Sequence, residues 1–201
     1  MRGANGYRMS AMERSAQFMP EAEVTLRLAF WLLDHADDAQ HADIAIDGAH
    51  VRIKAHEQNG RRVDEQVVFD IKTFLAAADC QPKSLTDEWR GTYQRRGKTF
   101  TVRSVTGFDV TVNGGSNTVA AECKGGPLKP TKGKSVAAVF ASAIGQVVTC
   151  SADAQPERLL IAVPDSPAFE RGGRQILRGA VFQKTGIEIV LVGRSDVRLL
   201  G

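Results

Sequence analysis

The stretch from Gly107 to Gly126, GFDVTVNGGSNTVAAECKGG, has the pattern of two short strands joined by a polar turn. Residues 108–112 alternate with the period of two that is typical of a strand, and residues 118–124 resume an extended, half-buried pattern. Between them, residues 113–117 consist of Asn, Gly and Ser, which are turn-forming types. The stretch therefore predicts a β-hairpin, and the remaining elements are assigned around it.

The ionisable side chains of this hairpin are Asp109, Glu122 and Lys124. Glu122 and Lys124 are two residues apart, so on a strand they point to the same face. If the two strands pair, Asp109 at the start of the first lies level with the end of the second. A carboxylate and an ammonium on a half-buried face cost free energy unless they meet a partner or a metal. We therefore expect the three groups to converge at one end of a sheet.

This arrangement resembles the signature of the PD-(D/E)XK nuclease superfamily, which has the restriction-endonuclease-like fold. In that signature an Asp begins the second core strand and a Glu-x-Lys lies on the third. Here twelve residues separate Asp109 from Glu122, and Glu122-Cys123-Lys124 supplies the second element. Phe108 stands where the family usually has a Pro.

The resemblance implies an endonuclease or exonuclease that hydrolyses phosphodiester bonds and depends on Mg²⁺ or Mn²⁺. We expect the substrate to be DNA. Carboxylate oxygens suit such a hard cation and leave coordination positions for water and phosphate. Asp109 and Glu122 would be the metal ligands, together with the backbone carbonyl of Cys123. Lys124 would position the attacking water and stabilise the developing negative charge.

Two further site residues are implied by the same resemblance. Gln146 lies 22 residues after Lys124 on the next predicted helix, from which the family often supplies a Gln or Lys. It would assist catalysis, although a Gln at the helix surface, or one bonded to a neighbouring backbone, is an open alternative. An additional acid often comes from the first core helix, and Glu23 is the candidate for that metal ligand.

The elements after residue 90 follow the order expected for this fold. Continuous apolar strands on either side of a helix predict a parallel βαβ unit with a right-handed crossover. We therefore expect an α/β fold with a central mixed sheet flanked by helices, and the resemblance implies that its core is restriction-endonuclease-like. The predicted elements are strands at 92–94 and 99–105, the hairpin, a helix at 135–150 that is apolar nearly all round and so buried, a strand at 158–163, a helix at 166–184 and a strand at 187–192.

The chain divides into three predicted regions. Residues 1–18 are small and polar, and we expect them to be disordered. Residues 19–82 form an N-terminal α+β extension, either accessory or part of the core, and residues 83–201 form the nuclease-like core. The extension contains predicted helices at 20–35 and 70–79, and between them a hairpin around Asp47-Gly48.

Charge is unevenly distributed along the sequence. Residues 1–82 carry 9 Lys and Arg against 13 Asp and Glu, a net charge of −4, and residues 83–201 carry 17 against 10, a net charge of +7. A basic half that contains the motif suits a nucleic-acid partner, although a solvated surface explains the excess equally well. The candidate nucleic-acid-binding residues are Arg95, Arg96, Lys98, Lys129, Lys132, Lys134, Arg171, Arg174 and Arg178.

Composition restricts the remaining function classes. Cys80, Cys123 and Cys150 are widely spaced and odd in number, which argues against a zinc site or a disulfide framework and fits a reducing cytoplasm. Cys123 should face away from Glu122 and Lys124 as a small core residue. We expect no membrane segment, because the longest apolar stretch contains Ser, Gly and Gln. Double-strand cutting by one site per chain would favour a homodimer.

Two alternatives to a nuclease remain open at this stage. The first is a non-catalytic protein that uses a nuclease-like fold for nucleic-acid binding or assembly. The second is a structural ion-pair cluster on an unrelated α/β protein.

Overall fold

A nine-stranded mixed sheet flanked by helices forms the centre of this α/β structure. The computed structural model describes residues 17–36, 38–53, 55–58, 61–105, 107–115, 117–129, 136–150 and 156–201. The helices are α1 (Glu21–His35), α2 (Ile71–Ala77), α3 (Val136–Cys150), α4 (Pro167–Leu177) and α5 (Ala180–Thr185). The strands of the central sheet are β2 (Ala39–Ala45), β7 (Gln81–Leu85), β8 (Gly91–Arg95), β9 (Lys98–Arg103), β10 (Val110–Gly114), β11 (Asn117–Cys123), β13 (Arg158–Pro164), β14 (Glu188–Val192) and β15 (Val197–Leu199).

Shorter strands pair outside this sheet. They are β1 (Phe18–Met19) with β12 (Gly126–Pro127), β3 (Arg52–Ile53) with β6 (Gln66–Val67), and β4 (His56–Gln58) with β5 (Arg61–Val63). Of the segment predicted to be disordered, residues 1–16 lie outside the described residues, whereas residue 18 belongs to β1. The spatial order of the central sheet is β15, β14, β13, β11, β10, β2, β9, β8 and β7. The motif strands β10 and β11 therefore lie near the middle of the sheet.

The predicted hairpin is confirmed. Strands β10 and β11 are antiparallel, with Val110 opposite Ala121 and Gly114 opposite Asn117. Asp109 immediately precedes β10, so it lies level with the last residues of β11, as the pattern predicted.

The parallel part of the sheet is also confirmed. Strand β13 pairs in parallel with β11 on one side and with β14 on the other. These strands are almost entirely buried because helices cover them. The single helix predicted at 166–184 is wrong, since α4 ends at Leu177 and α5 begins at Ala180 after Gly179.

Residues that precede the motif are built into the same sheet. Strand β2 pairs antiparallel with β10 and parallel with β9, and α1 packs over β2, β10 and β13. Side chains of α1 such as Leu26 and Leu28 share one buried core with Ala121 and Cys123 of β11. The first helix and its following strand therefore form the central layer together with the motif strands.

The hairpin predicted around Asp47-Gly48 is wrong. Residues Gly48–His50 form a 3₁₀ turn, and the Asp47 side chain accepts a hydrogen bond from the Ala49 backbone N–H. Strand β2 pairs with β9 and β10, and β3 pairs with β6. The two-residue turn signal was outweighed by long-range strand pairing.

Helix α3 corrects the prediction of a fully buried helix. Only Phe140, Ala143 and Val147 are buried, at the spacing of one helical stripe, and they pack in a second core with side chains of β13 and α4. The small residues on the opposite face, such as Ala141 and Gly145, are exposed. Exposing small side chains to water costs little free energy, so this apolar helix can be stable with only one face buried. Within the described ranges, no helix is both long and apolar enough to cross a membrane.

Candidate active site

Asp109, Glu122 and Lys124 lie together where the start of β10 meets the end of β11, in the middle of the central sheet. The Cys123 backbone N–H donates a hydrogen bond to Asp109 Oδ2 at 2.8 Å, which fixes the aspartate beside the end of β11. Lys124 Nζ lies 2.6 Å from Glu122 Oε1 and is thus hydrogen bonded as well as ion paired. Glu122 is 2% exposed and Asp109 8%, so both carboxyl groups are nearly removed from water.

Burial and mutual repulsion govern the protonation of these acids. Burial, and then the charge of Glu122, raise the pKa of Asp109 from 3.8 to about 8, although the hydrogen bond from Cys123 opposes the shift. Burial also raises the pKa of Glu122, against the opposing effect of the Lys124 ammonium. Without a further positive charge, the pair therefore holds a proton at neutral pH.

Lys124 keeps its positive charge. Burial opposes the charged form, but the hydrogen bond to Glu122 and the charges of Glu21, Glu122 and Asp109 outweigh it and raise the pKa of Lys124. In this arrangement the ammonium donates hydrogen bonds and has no lone pair with which to accept a proton.

Cys123 is a core residue, as the alternation of β11 predicted. Its side chain is fully buried in the core beneath α1, whereas Ala120 belongs to the core on the other face of the sheet. Burial raises the pKa of the Cys123 thiol well above its ordinary value, so the thiol stays protonated and inert.

The acid that α1 brings to this cluster is Glu21 rather than Glu23. Glu21 Oε2 lies 3.7 Å from Lys124 Nζ. Glu23 points elsewhere, with its Oε1 3.0 Å from Arg27 Nε and 2.9 Å from Arg194 Nε. Residues two positions apart on a helix are rotated by about 200°, so the two glutamates face nearly opposite directions.

A small cavity of about 120 Å³ opens beside the carboxylates. Among the residues that line it are Glu21, Asp109, Gln146 and His50. The structure thus brings Gln146 of α3 to the same cavity as Asp109. His50 lies at the end of the 3₁₀ turn, and its Nε2 is 3.2 Å from Glu21 Oε1. Sequence reasoning missed His50, because residues 48–50 were predicted as part of a hairpin and carried no local signal of a site.

The basic tip between β8 and β9 lies far from this cavity. Arg95 Nη1 and Arg96 Nη1 bind the Asp34 carboxylate at 2.8 and 3.1 Å. Lys98 Nζ donates to the Leu33 backbone carbonyl near the C-terminus of α1. Since Glu21 is on the first turn of α1, the helical rise puts this tip about 18 Å along the helix from the carboxylates. The structure does not bring these three residues to the site.

The other basic candidates are dispersed. Arg174 is held by Glu170 and by the Gly201 backbone carbonyl, whereas Arg171 on the same helix and Arg178 just after it are exposed. Lys129 is exposed after β12, and Lys132 and Lys134 lie outside the described residues.

The donor chemistry of the cluster fits a hard divalent cation, because it consists of carboxylate oxygens whose mutual repulsion a cation would relieve. Across the described ranges, no three His, Cys, Asp or Glu side chains already stand in an arrangement that could hold a metal ion. Lys124 instead lies between Glu122 and Glu21. Comparison with protein-family models, curated proteins and solved structures found no match to this chain.

Proposed function

We propose that this protein is a metal-dependent nuclease that hydrolyses phosphodiester bonds in nucleic acid, with DNA as the expected substrate. The observation that carries the proposal is the meeting of Asp109, Glu122 and Lys124 on adjacent strands, joined by Glu21 from the helix that precedes them.

The order of the elements supports the proposal. Helix α1 is followed by β2, then the β10–β11 hairpin, then α3 and β13, and the four strands are adjacent in the order β2, β10, β11, β13. An antiparallel three-strand section followed by a helix and a parallel strand is the arrangement of the restriction-endonuclease-like core. The acid-bearing hairpin occupies the same place in that order as the signature does in the resembled family.

Each side chain of the site would have a distinct role in the reaction. Asp109, Glu122 and Glu21 would hold Mg²⁺ or Mn²⁺, with the Cys123 carbonyl available as a further oxygen ligand. The bound metal would supply a water of lowered pKa and neutralise charge on the phosphate. Lys124, which is protonated here, would donate a hydrogen bond to the phosphate or to the attacking water. Gln146 would orient a group within the cavity that it lines.

The test is cleavage of plasmid DNA, single-stranded DNA and RNA with Mg²⁺ or Mn²⁺. Asp109→Asn, Lys124→Ala and Glu21→Gln should each abolish metal-dependent cleavage. Glu23→Gln is the matched control, because it removes a carboxylate from the same helix turn without touching the cluster, and it should retain cleavage.

Folding of each variant is checked by circular dichroism. Equal loss of cleavage in Glu21→Gln and Glu23→Gln would contradict the site geometry. A folded wild type with no cleavage of any of these substrates in either metal would count against the nuclease proposal. Cleavage that survives Asp109→Asn would assign the activity to a contaminant or to another site.

A further inference from the structure

A groove of about 1030 Å³ lies next to the carboxylate cavity. The 3₁₀ turn Gly48–His50 separates the two, with Gly48 and Ala49 lining the groove and His50 lining the cavity. Asp47 lines both. A three-residue 3₁₀ turn is about 6 Å long, so the cavity and the groove lie within reach of one extended ligand.

The walls of the groove combine aromatic and aliphatic side chains with charged ones. Trp89 and Phe69 form part of the lining, and the Arg90 guanidinium carbon lies over the Trp89 ring at 4.1 Å from its centroid. Ile53 and Val67 also line the groove and remain 37% and 60% exposed. Large apolar side chains left in water around a concave surface are typical of a ligand-binding groove.

The arrangement around Arg90 is held in place from two sides. Asp87 accepts hydrogen bonds from the backbone N–H groups of Trp89 and Arg90 and from Arg90 Nη1. A Cβ at Gly48 would lie 3.4 Å from Arg90 Nη2, so the guanidinium packs closely against the turn. The guanidinium is therefore held over the indole ring beside the site, and we call this pair of side chains the Trp89–Arg90 platform.

The charge of the groove is close to balanced. Its ionisable lining consists of Asp47, Asp70, Asp87, Glu88, Arg52, Lys72 and Arg90. Lys72 pairs with Glu88 at 3.2 Å, and Asp70 accepts hydrogen bonds from Thr73. A surface that tracks a phosphate backbone needs an excess of cations, which this groove lacks among its described residues. Its chemistry suits the uncharged, planar face of a nucleobase.

We propose that this groove binds an unpaired nucleobase of a single-stranded nucleic-acid substrate, next to the nucleotide whose phosphate meets Asp109 and Glu122. The inference rests on the proposed function, since it names the substrate class of the same site. The base stacks on the Trp89–Arg90 platform, and apolar side chains cover its edges. A duplex has no unpaired base to place there.

Binding is measured on Asp109→Asn protein in EDTA, so that no cleavage takes place. The probes are a fluorescein-labelled single strand of about 20 nucleotides, the same strand in a duplex, and free dAMP. Trp89→Ala should weaken single-strand binding by about 5- to 100-fold, the loss expected for one stacked base. Trp31→Ala is the matched control at the other tryptophan of the chain, which lines a different pocket, and it should change binding less than twofold.

The salt dependence separates stacking from phosphate contact. Stacking releases no counterions, so Trp89→Ala should lower affinity by the same factor at low and high salt. Trp89→Phe keeps a ring and should recover most of the binding, which guards against a loss caused by misfolding of Trp89→Ala.

Three outcomes would overturn the inference. They are unchanged single-strand affinity in Trp89→Ala, tighter binding of the duplex than of the single strand, and binding of dAMP as tight as that of the oligonucleotide, which would assign the groove to a free nucleotide. Trp89-dependent binding by a protein that shows no cleavage would uphold the groove and reject the nuclease. Cleavage together with binding that does not depend on Trp89 would uphold the nuclease and reject the groove.

Discussion

Replacing Asp109 by asparagine should stabilise the metal-free protein, and increasingly so as the pH rises. Burial and the charge of Glu122 raise the pKa of Asp109 from 3.8 to about 8 in the folded chain. Between these values the folded state holds a proton that the unfolded state has released, so raising the pH favours unfolding. The substituted amide carries no charge, and its oxygen can still accept the hydrogen bond from the Cys123 N–H.

The magnitude follows from the same shift. Each pH unit between the two pKa values lowers the free energy of unfolding of the wild type by about 1.4 kcal/mol. Over the full range from about pH 4 to about pH 8, the loss of stability can therefore reach at most about 5 to 6 kcal/mol. Glu122 shares the repulsion and the pair titrates together, so we expect the variant to gain about 3 kcal/mol over wild type at about pH 8. Below about pH 4 both acids are protonated in either state, and the difference should vanish.

The assay is urea unfolding in EDTA at about pH 5, 7 and 9, followed by circular dichroism. Asp165→Asn is the control, because Arg198 binds that carboxylate at 3.0 Å. Removing this carboxylate should lower the free energy of unfolding by about 1 kcal/mol across this pH range, whereas Asp109→Asn should raise it. Parallel stability profiles for wild type and Asp109→Asn across these pH values would refute the argument, since they would mean that Asp109 is not held in a repelling, desolvated environment.

Two further predictions concern the packing around the site. Lys124→Ala leaves the buried Glu122 carboxylate without its cation and should cost about 3 to 5 kcal/mol at neutral pH, measured by urea unfolding; a cost below about 1 kcal/mol would mean that the pair is solvated. Gly126→Ala places a Cβ 2.6 Å from the Phe169 ring and should lower stability by about 1 to 3 kcal/mol in thermal unfolding. A Cβ at Gly145 would have no neighbouring atom within 4 Å, so Gly145→Ala should instead raise stability by up to about 1 kcal/mol. Equal effects of the two substitutions would contradict this packing.

The parts of the fold with strong local periodicity were predictable. Helix α1 ends at His35 as expected, the β10–β11 hairpin has the expected pairing, and the apolar runs of β13 and β14 form the expected parallel pair. In each case the buried face leaves a repeating pattern along a few consecutive residues, which a single sequence reveals.

Long-range placement was not predictable in the same way. Strand β2 inserts between β10 and β9, which are more than fifty residues away in sequence. The sequence of residues 39–45 does not indicate which strands it pairs with. The convergence of Asp109, Glu122 and Lys124 could be predicted because side chains alternate along a strand with a fixed period of two. The rotation of α1 about its axis had no such constraint, so the choice between Glu21 and Glu23 needed the structure.

The charge balance of the cluster argues against a purely structural ion-pair network. Three carboxylates, those of Asp109, Glu122 and Glu21, meet the single ammonium of Lys124, with His50 at its margin. A buried network kept for stability is expected to pair its charges, and apolar residues of similar volume would often do as well or better. Here the excess of negative charge lowers stability at neutral pH, and a divalent cation is the partner that would offset it. Local features that lower stability in this way are common at functional sites.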